Sequence, residues 1–246
     1  MEVSRHPFKI HSFDTDAFGA LTAPGLLGYL LEASGRSADR LGFGIEKLQT
    51  QNLTWVIARI GIVLHEAVTF GEQIEVETWP AGLMRSASTR DFRIWKGARE
   101  IGQATSLWFV LDMETRMPQR AHSLLPEHLH AATEHPLTLS RSVSAIAGTP
   151  EIERTFDVRL ADIDLNQHVT ASSYVAWAME AVPQAVWASN RLTSLDVQFL
   201  EECHYGHQIV TASVPIDDTN RLHRVSRSTD GREIARLHTT WAKRTP

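Results

Sequence analysis

A single cysteine, Cys203, stands among the 246 residues, so no intrachain disulfide can form. That suits a reducing compartment. Long apolar runs are missing too. The longest candidates, around Pro24–Leu31 and Tyr174–Met179, fall short of the roughly 18–20 residues of a membrane span. No basic stretch followed by an apolar segment opens the chain, so neither a secretory signal nor a transit peptide is expected, and a cytoplasmic protein is the default. Nor is there an excess of positive charge. The 24 Lys and Arg against 29 Asp and Glu leave a net charge of −5, which argues against general nucleic-acid binding, since that needs a clustered basic face. The remaining composition, 43% apolar and 22% charged, is that of an ordinary globular protein. At roughly 150 residues per domain it allows one large domain or two small ones.

What is present is a repeat. Asp14 to Ala33 aligns without a gap on Asp162 to Ala181, 148 residues later. Both acids of an Asp-x-Asp recur, as do Thr22-Ala23 in Thr170-Ala171 and Glu32-Ala33 in Glu180-Ala181. Further on, Ile62, Leu64, Gly71, Gln73 and Ile74 match Val197, Phe199, Gly206, Gln208 and Ile209 at an offset of 135. Arg99-Glu100-Ile101 and Trp108 match Arg232-Glu233-Ile234 and Trp241 at an offset of 133. Three matches in one order imply two homologous halves, 1–120 and 151–246. The stretch 121–150 is rich in Ala, Ser, Thr, His and Pro. It reads as a linker with a short helix near Pro126–Ala132 and with solvated histidines at 122, 128, 130 and 135.

Each half has the same coarse order. A short strand and turn, Phe8–Phe18 or Thr155–Asn166, precedes a helix. In the first half Thr22 can cap that helix, Pro24 is tolerated in its first turn and Gly42 can end it. In the second, Pro183 kinks or ends it. Strands follow: the Trp55 run, Gln73–Trp79 with Ile74, Val76 and Thr78 on one side, Ser88–Lys96 through Phe92 and Ile94, and Gln103–Asp112. A helix followed by an antiparallel meander, given twice, implies an α+β fold.

The halves disagree at a few positions. Asp164-x-Asn166-x-His168 faces Asp16-x-Phe18-x-Ala20, and Glu202-Cys203 faces Ala67-Val68. Four reactive side chains in the second half thus stand opposite four apolar ones in the first. This suggests chemistry in one half and an apolar slot in the other. His168 is suited to proton transfer near neutral pH. Asp164 can orient it or balance its charge. Asn166, with the unsatisfied N–H groups of the following helix, can bind an oxyanion. Glu202 can activate water, and Cys203 can be a nucleophile or a packing residue. Bland readings stand beside these. An Asp-x-Asn before a helix is commonly a turn, and a lone cysteine is commonly core. His204-x-x-His207 has no second cysteine or ordered carboxylate set, so no metal is expected.

The run Asp162-Ile-Asp-Leu-Asn-Gln-His-Val, with Tyr174-x-x-Trp177-x-x-Glu180-x-x-Pro183, resembles the acyl-acyl carrier protein thioesterases, plant plastid enzymes and their bacterial relatives. Glu202-Cys203 resembles that family's second catalytic segment. Trp55-Val-Ile-Ala-Arg, Gly71 to Trp79, Arg90-Asp-Phe, and Ala104-Thr-Ser-Leu-Trp108 followed by Asp112-x-x-Thr-Arg116 extend the likeness from Phe8 to Trp241. The resemblance implies a double hotdog, a long helix wrapped by an antiparallel sheet in each half. It implies hydrolysis of the thioester between a fatty acyl chain and the phosphopantetheine of acyl carrier protein, without a cofactor of the enzyme's own. It maps the catalytic residues onto Asp164, Asn166, His168, Glu202 and Cys203, and places the acyl tunnel in the first half, where Leu26, Leu30, Trp55 and Ile57 could line it.

There are departures from the family pattern. Thr170 and Ala171 replace two asparagines, although Thr170 could still cap the helix. Leu200 and Glu201 replace two arginines, so docking of the acidic carrier would need another basic patch, for which Arg36, Arg40, Arg85 and Arg90 are the candidates. An acyl-CoA thioesterase and a non-catalytic acyl-thioester sensor are the alternatives. Two fused halves satisfy the usual hotdog pairing within one chain, and a homodimer of such chains stays open.

Overall fold

The computed structural model describes residues 2–84, 87–131 and 134–244. The chain divides into two compact units, Met1–Leu139 and Ser140–Pro246.

The first unit runs β1 (Ser4–Lys9), α1 (Ala23–Arg40), α2 (Ile45–Gln49), β2 (Leu53–Leu64), β3 (Gln73–Met84), β4 (Ala87–Lys96), β5 (Arg99–Asp112) and β6 (Pro118–Gln119). Its sheet is antiparallel in the order β1-β3-β4-β5-β2, with β6 on β5. The second unit runs β7 (Ile152–Asp157), α3 (Ala171–Met179), α4 (Gln184–Ser189), β8 (Asn190–Phe199), β9 (Gln208–Pro215), β10 (Asn220–Arg227) and β11 (Glu233–Lys243). Its order is β7-β9-β10-β11-β8, again antiparallel. The same permuted strand order, each with a helix against the sheet, is the hotdog arrangement given twice. Among the described residues no helix is long and apolar enough to cross a membrane.

Local sequence explains the helices. Thr22 Oγ1 accepts the Gly25 N–H at 3.2 Å, Pro24 lies in the first turn, and Gly42 follows the cap with φ at 81°. Leu26, Leu27, Leu30, Ala33 and Ala38 recur at helical spacing and are buried, and α1 lies against β3. Burying each leucine contributes roughly 1.5–3 kcal/mol. In the second unit α3 has 9 residues against 18 in α1. It stops at Met179, and Pro183 begins α4 instead of continuing the helix. Thr170 takes the N-cap position of α3, but its side chain makes no capping bond. On the strands Ile74, Val76 and Thr78 face inward together, as do Phe92 and Ile94.

The repeat extends into the interior. Trp108 Nε1 donates to Ser106 Oγ at 2.7 Å, and Trp241 Nε1 donates to Thr239 Oγ1 at 2.9 Å. Arg90 lies between Pro80 and Ser106 on the neighbouring strands, and Arg221 lies between Pro215 and Thr239. Both guanidinium groups are buried and donate to a β3 or β9 hydroxyl, Arg90 to Thr78 Oγ1 at 3.2 Å and Arg221 to Ser213 Oγ at 3.0 Å.

Two expectations for polar residues are corrected here. Arg90 belongs to no surface patch. It sits on the inward face of β4 in register with Phe92, and burial lowers its guanidinium to about 10. Arg36 is exposed and pairs with Glu32 at 2.7 Å, Arg40 donates to Val3 O at 3.1 Å, and Arg85 lies outside the described residues. His135 is not simply solvated, since its Nδ1 stands 2.8 Å from Oδ2 of the fully buried Asp91. His130 Nε2 is 2.8 Å from Leu125 O. Within 121–150, Ala121, Leu125 and Leu129 are buried with Ala38, Phe43, Leu48 and Val110, so this part of the stretch packs as first-unit core. Where the short helix near Pro126–Ala132 was expected, the described residues form a 3-10 turn, Glu127–Leu129, preceded by another at Ala121–Ser123, and Ala132 lies outside the described residues.

Candidate active site

The site begins as a turn. In the second unit Ile163 and Val169 form an isolated bridge. Asp164 N–H donates to His168 O at 2.8 Å, and Gln167 N–H to Asp164 O at 3.0 Å. Gln167 sits at φ 63°, a left-handed conformation that a non-glycine residue rarely adopts. The Asp164 carboxylate holds the turn, its Oδ1 accepting the backbone N–H of Asn166 at 2.8 Å and of His168 at 3.4 Å.

The first unit builds the same turn bond for bond. Thr15 bridges Leu21, Asp16 N–H donates to Ala20 O at 2.8 Å, and Gly19 takes φ 75°. Asp16 Oδ1 accepts the N–H groups of Phe18 at 2.9 Å and Ala20 at 3.0 Å. Leu21 N–H donates to Val68 O at 2.8 Å where Val169 N–H donates to Cys203 O at 2.9 Å. Thr22 N–H reaches Asp14 O at 2.9 Å as Thr170 N–H reaches Asp162 O at 2.8 Å. Asp16 thus does for a turn without histidine what Asp164 does for the turn that carries His168. The observed work of Asp164 is to shape the backbone.

This separates two roles by experiment. Asp16→Ala and Asp164→Ala should each cost about 1 kcal/mol of stability through lost hydrogen bonds. Asp164→Asn keeps an Oδ1 acceptor, so melting temperature and kcat should both stay near those of the parent. A large fall in kcat for Asp164→Asn at unchanged melting temperature would instead assign the carboxylate charge to the chemistry.

Below the turn lies Asp162, which sequence reasoning passed over as a site residue. It is buried and bound by Arg159 through N, Nε and Nη2 at 2.8–3.1 Å, and by Ser173 Oγ at 3.1 Å. Burial opposes its ionisation, but the Arg159 bonds outweigh this and hold the carboxyl below its usual range. Asp162 therefore anchors the turn to α3.

The segment after β8 meets the turn. His168 Nε2 stands 3.4 Å from Glu202 Oε2, both side chains partly exposed. The His204 ring lies 4.8 Å from that of His168, and His207 lies 5.7 Å from His204. Cys203 is fully buried, with Sγ 3.3 Å from His207 Nδ1. The His204 N–H also points at that Nδ1, at 3.4 Å, which makes it an acceptor and leaves the ring proton on Nε2. Burial lowers His207, helped by Arg227 and His204. Burial pushes the Cys203 thiol up. A thiolate is therefore disfavoured at Cys203, and its place matches that of Val68, a core residue in the first unit. Tyr174 OH donates to Glu201 O at 3.3 Å, tying α3 to this segment.

Of the residues expected in the site, the structure brings His168 and Glu202 together, with Asp164 and Asn166 in the same turn and Cys203 behind. His204 joins them. The signal for it was its place next to Cys203. In the first unit, Phe18 is 48% exposed, so that turn presents an apolar surface. Leu26 and Leu30 are buried on α1. Trp55 belongs to a different group, donating through Nε1 to Phe43 O at 2.9 Å and packing on the cluster around Phe43 and Leu48. Ile57 is half-buried beside an irregularity in the β2–β5 register.

Comparison with known proteins now adds to the geometry. The model of the acyl-ACP thioesterase N-terminal domain matches residues 2–128, and that of the acyl-ACP thioesterase C-terminal domain matches residues 147–243. The chain is 25% identical to the chloroplastic oleoyl-acyl carrier protein thioesterase 1 of Arabidopsis thaliana, over 98% of this chain and 76% of that protein. It is 26% identical to the chloroplastic palmitoyl-acyl carrier protein thioesterase of the same plant, over 99% of this chain and 65% of that protein. Among solved structures, an acyl-ACP thioesterase from Bacteroides thetaiotaomicron superposes with a TM-score of 0.84 at 23% identity, covering 98% of both chains. A 12:0-ACP thioesterase from Umbellularia californica gives 0.85 at 21%, over 99% of this chain and 98% of the other. The two domain models together cover nearly the whole chain, one on each unit, and the chain belongs to the acyl-ACP thioesterase family.

Proposed function

We propose that this protein hydrolyses fatty acyl-acyl carrier protein thioesters to free fatty acid and holo-carrier protein. The observation that supports this reading best is the His168–Glu202 contact, 3.4 Å across, on a turn that the first unit repeats with Phe18 and Ala20 in place of Asn166 and His168. Family membership supplies the substrate class. We assign the chemistry to the second unit and acyl-chain recognition to the first, with Leu26, Leu30, Trp55 and Ile57 as candidate lining residues. The single cysteine and the carrier-bound substrate suit a cytoplasmic setting.

Glu202 takes a proton from a water molecule as the water oxygen bonds to the thioester carbonyl carbon. The oxyanion that forms is held by the Asn166 side-chain amide and the first N–H groups of α3, where the helix dipole is positive. Collapse breaks the C–S bond, and His168 delivers a proton to the leaving sulfur. The acid and the phosphopantetheine thiol depart, and the cofactor arm belongs to the substrate throughout. Asp164 and Asp162 hold the turn. Cys203 supports the loop from behind, because its buried thiol is a poor nucleophile.

The deciding experiment is free-thiol release from acyl carrier protein and CoA thioesters offered side by side, over a range of chain lengths. Faster turnover of the carrier-protein series is the expected result. Turnover of CoA thioesters alone would keep the chemistry and replace the carrier. Binding of acyl thioesters with no turnover of either would make the protein a sensor.

A further inference from the structure

The turn and the segment after β8 bring together three metal-binding side chains, two of which the proposed hydrolysis uses and one of which, His204, it does not. One ligand atom each from His168, Glu202 and His204 lies within 4.8 Å of the others. His204-x-x-His207 alone offers no metal site, having no second cysteine or ordered carboxylate set beside it in the sequence. The structure supplies a carboxylate from Glu202, two residues before His204, and an imidazole from His168 on the turn, while His207 is turned toward Cys203. We propose that His168, Glu202 and His204 form a binding site for a divalent transition-metal ion, zinc fitting best, and that its occupation blocks hydrolysis. The blocking effect rests on the roles given above to His168 and Glu202, whereas the binding does not.

The donor chemistry selects the ion. Two imidazole nitrogens and one carboxylate oxygen form a set that zinc takes at about 2.0–2.2 Å per bond, with a water in the fourth position. Calcium and magnesium favour shells of oxygen alone and are not expected here. In a tetrahedral shell of that size the donors stand roughly 3.3–3.5 Å apart. His168 Nε2 and Glu202 Oε2, at 3.4 Å, already meet that spacing. The remaining adjustment falls to His204, whose side chain is exposed.

Binding uses the neutral imidazole lone pairs, so any proton on either coordinating nitrogen passes to solvent and no oxidation state changes. With its lone pair in the metal bond, His168 can neither accept nor deliver a proton. A coordinated Glu202 cannot take one from water. The same contact that serves hydrolysis thus makes the site vulnerable to zinc.

The test is titration of the metal-free protein with zinc against a chromophoric chelator, with cobalt(II) as a spectroscopic stand-in. One ion per chain is expected, with the visible absorption of a four-coordinate cobalt centre. His204→Ala should weaken zinc binding by roughly tenfold or more, and the zinc concentration that halves turnover, read against that variant's own metal-free rate, should rise in step. His207→Ala and Cys203→Ser should leave the affinity unchanged. No stoichiometric binding by the parent protein would overturn the site. So would loss of binding in Cys203→Ser with retention in His204→Ala, which would put the ion on the Cys203–His207 pair. Activation by zinc would overturn the blocking role. Because binding is read without substrate, absence of thioesterase activity would count against the functional reading and leave the metal site standing.

Discussion

His168→Ala is expected to lower kcat on acyl carrier protein thioesters by about 10²–10⁴-fold, the usual contribution of a positioned acid–base group. KM should move far less, since the imidazole acts on the reacting bonds and not on the acyl chain. The melting temperature should hardly change. Ala20 occupies the same place in the first unit, and the backbone bonds there match those around His168. Alanine is therefore compatible with the turn, and the expected stability change is within about 0.5 kcal/mol, the range for substitutions away from buried features. Rate and melting temperature measured on one preparation separate chemistry from folding. A variant with near-parental kcat would remove His168 from the mechanism.

Acid should weaken the second unit through His223. This histidine on β10 is fully buried, with Nε2 2.8 Å from Thr239 Oγ1. Thr239 Oγ1 accepts from Trp241 Nε1 and stands within hydrogen-bond distance of His223, a contact that the neutral ring can make. Burial, then Arg221 on the same strand face, lowers His223 to about 3 from an ordinary value of 6.5. Below 6.5 the unfolded chain therefore binds a proton that the folded chain refuses until about 3. Stability conferred by the neutral ring is complete above the unfolded value and is lost as pH falls toward the folded one. Between pH 7.5 and 4.5 the loss amounts to about 2–3 kcal/mol. Urea unfolding of the parent and of His223→Gln at both pH values checks this. The variant should start less stable and lose less on acidification. Equal losses in the two proteins would show that other groups carry the acid sensitivity.

Much of this was legible in the chain, for identifiable reasons. The Asp-x-Asp and Thr-Ala pairs recur without a gap because the turn and the start of the helix impose one backbone in both units. The difference at 166, 168, 202 and 203 was visible for the same reason. The matched buried arginines were not. Two residues separate β4 from β5 at the hairpin, where β10 and β11 are joined by residues 228–232, so Arg90 and Arg221 fall out of the offset that relates β5 to β11. Strand alternation did carry a warning, since Arg90 shares its parity with Phe92 and Ile94. Asp164 was read as able to orient His168 or balance its charge, and its retention as Asp16 adds a role in shaping the backbone. His135 sits in a stretch of polar residues and proline, and only the tertiary structure places it against Asp91. Chain pattern reports local geometry and periodicity well. Which distant polar groups meet depends on packing that no local pattern encodes.

The duplicated turn also bears on how this protein can change. Its backbone is held by an aspartate, a left-handed residue and a bridge to the neighbouring segment, none of which is Asn166 or His168. The frame therefore does not require asparagine or histidine at those two positions, so substitutions there that keep the frame are visible to selection on activity. A descendant could lose catalysis and persist as a folded binding protein after one nucleotide change at His168. The first unit shows the outcome of that freedom in the opposite half of the same molecule, where an intact frame carries phenylalanine and alanine.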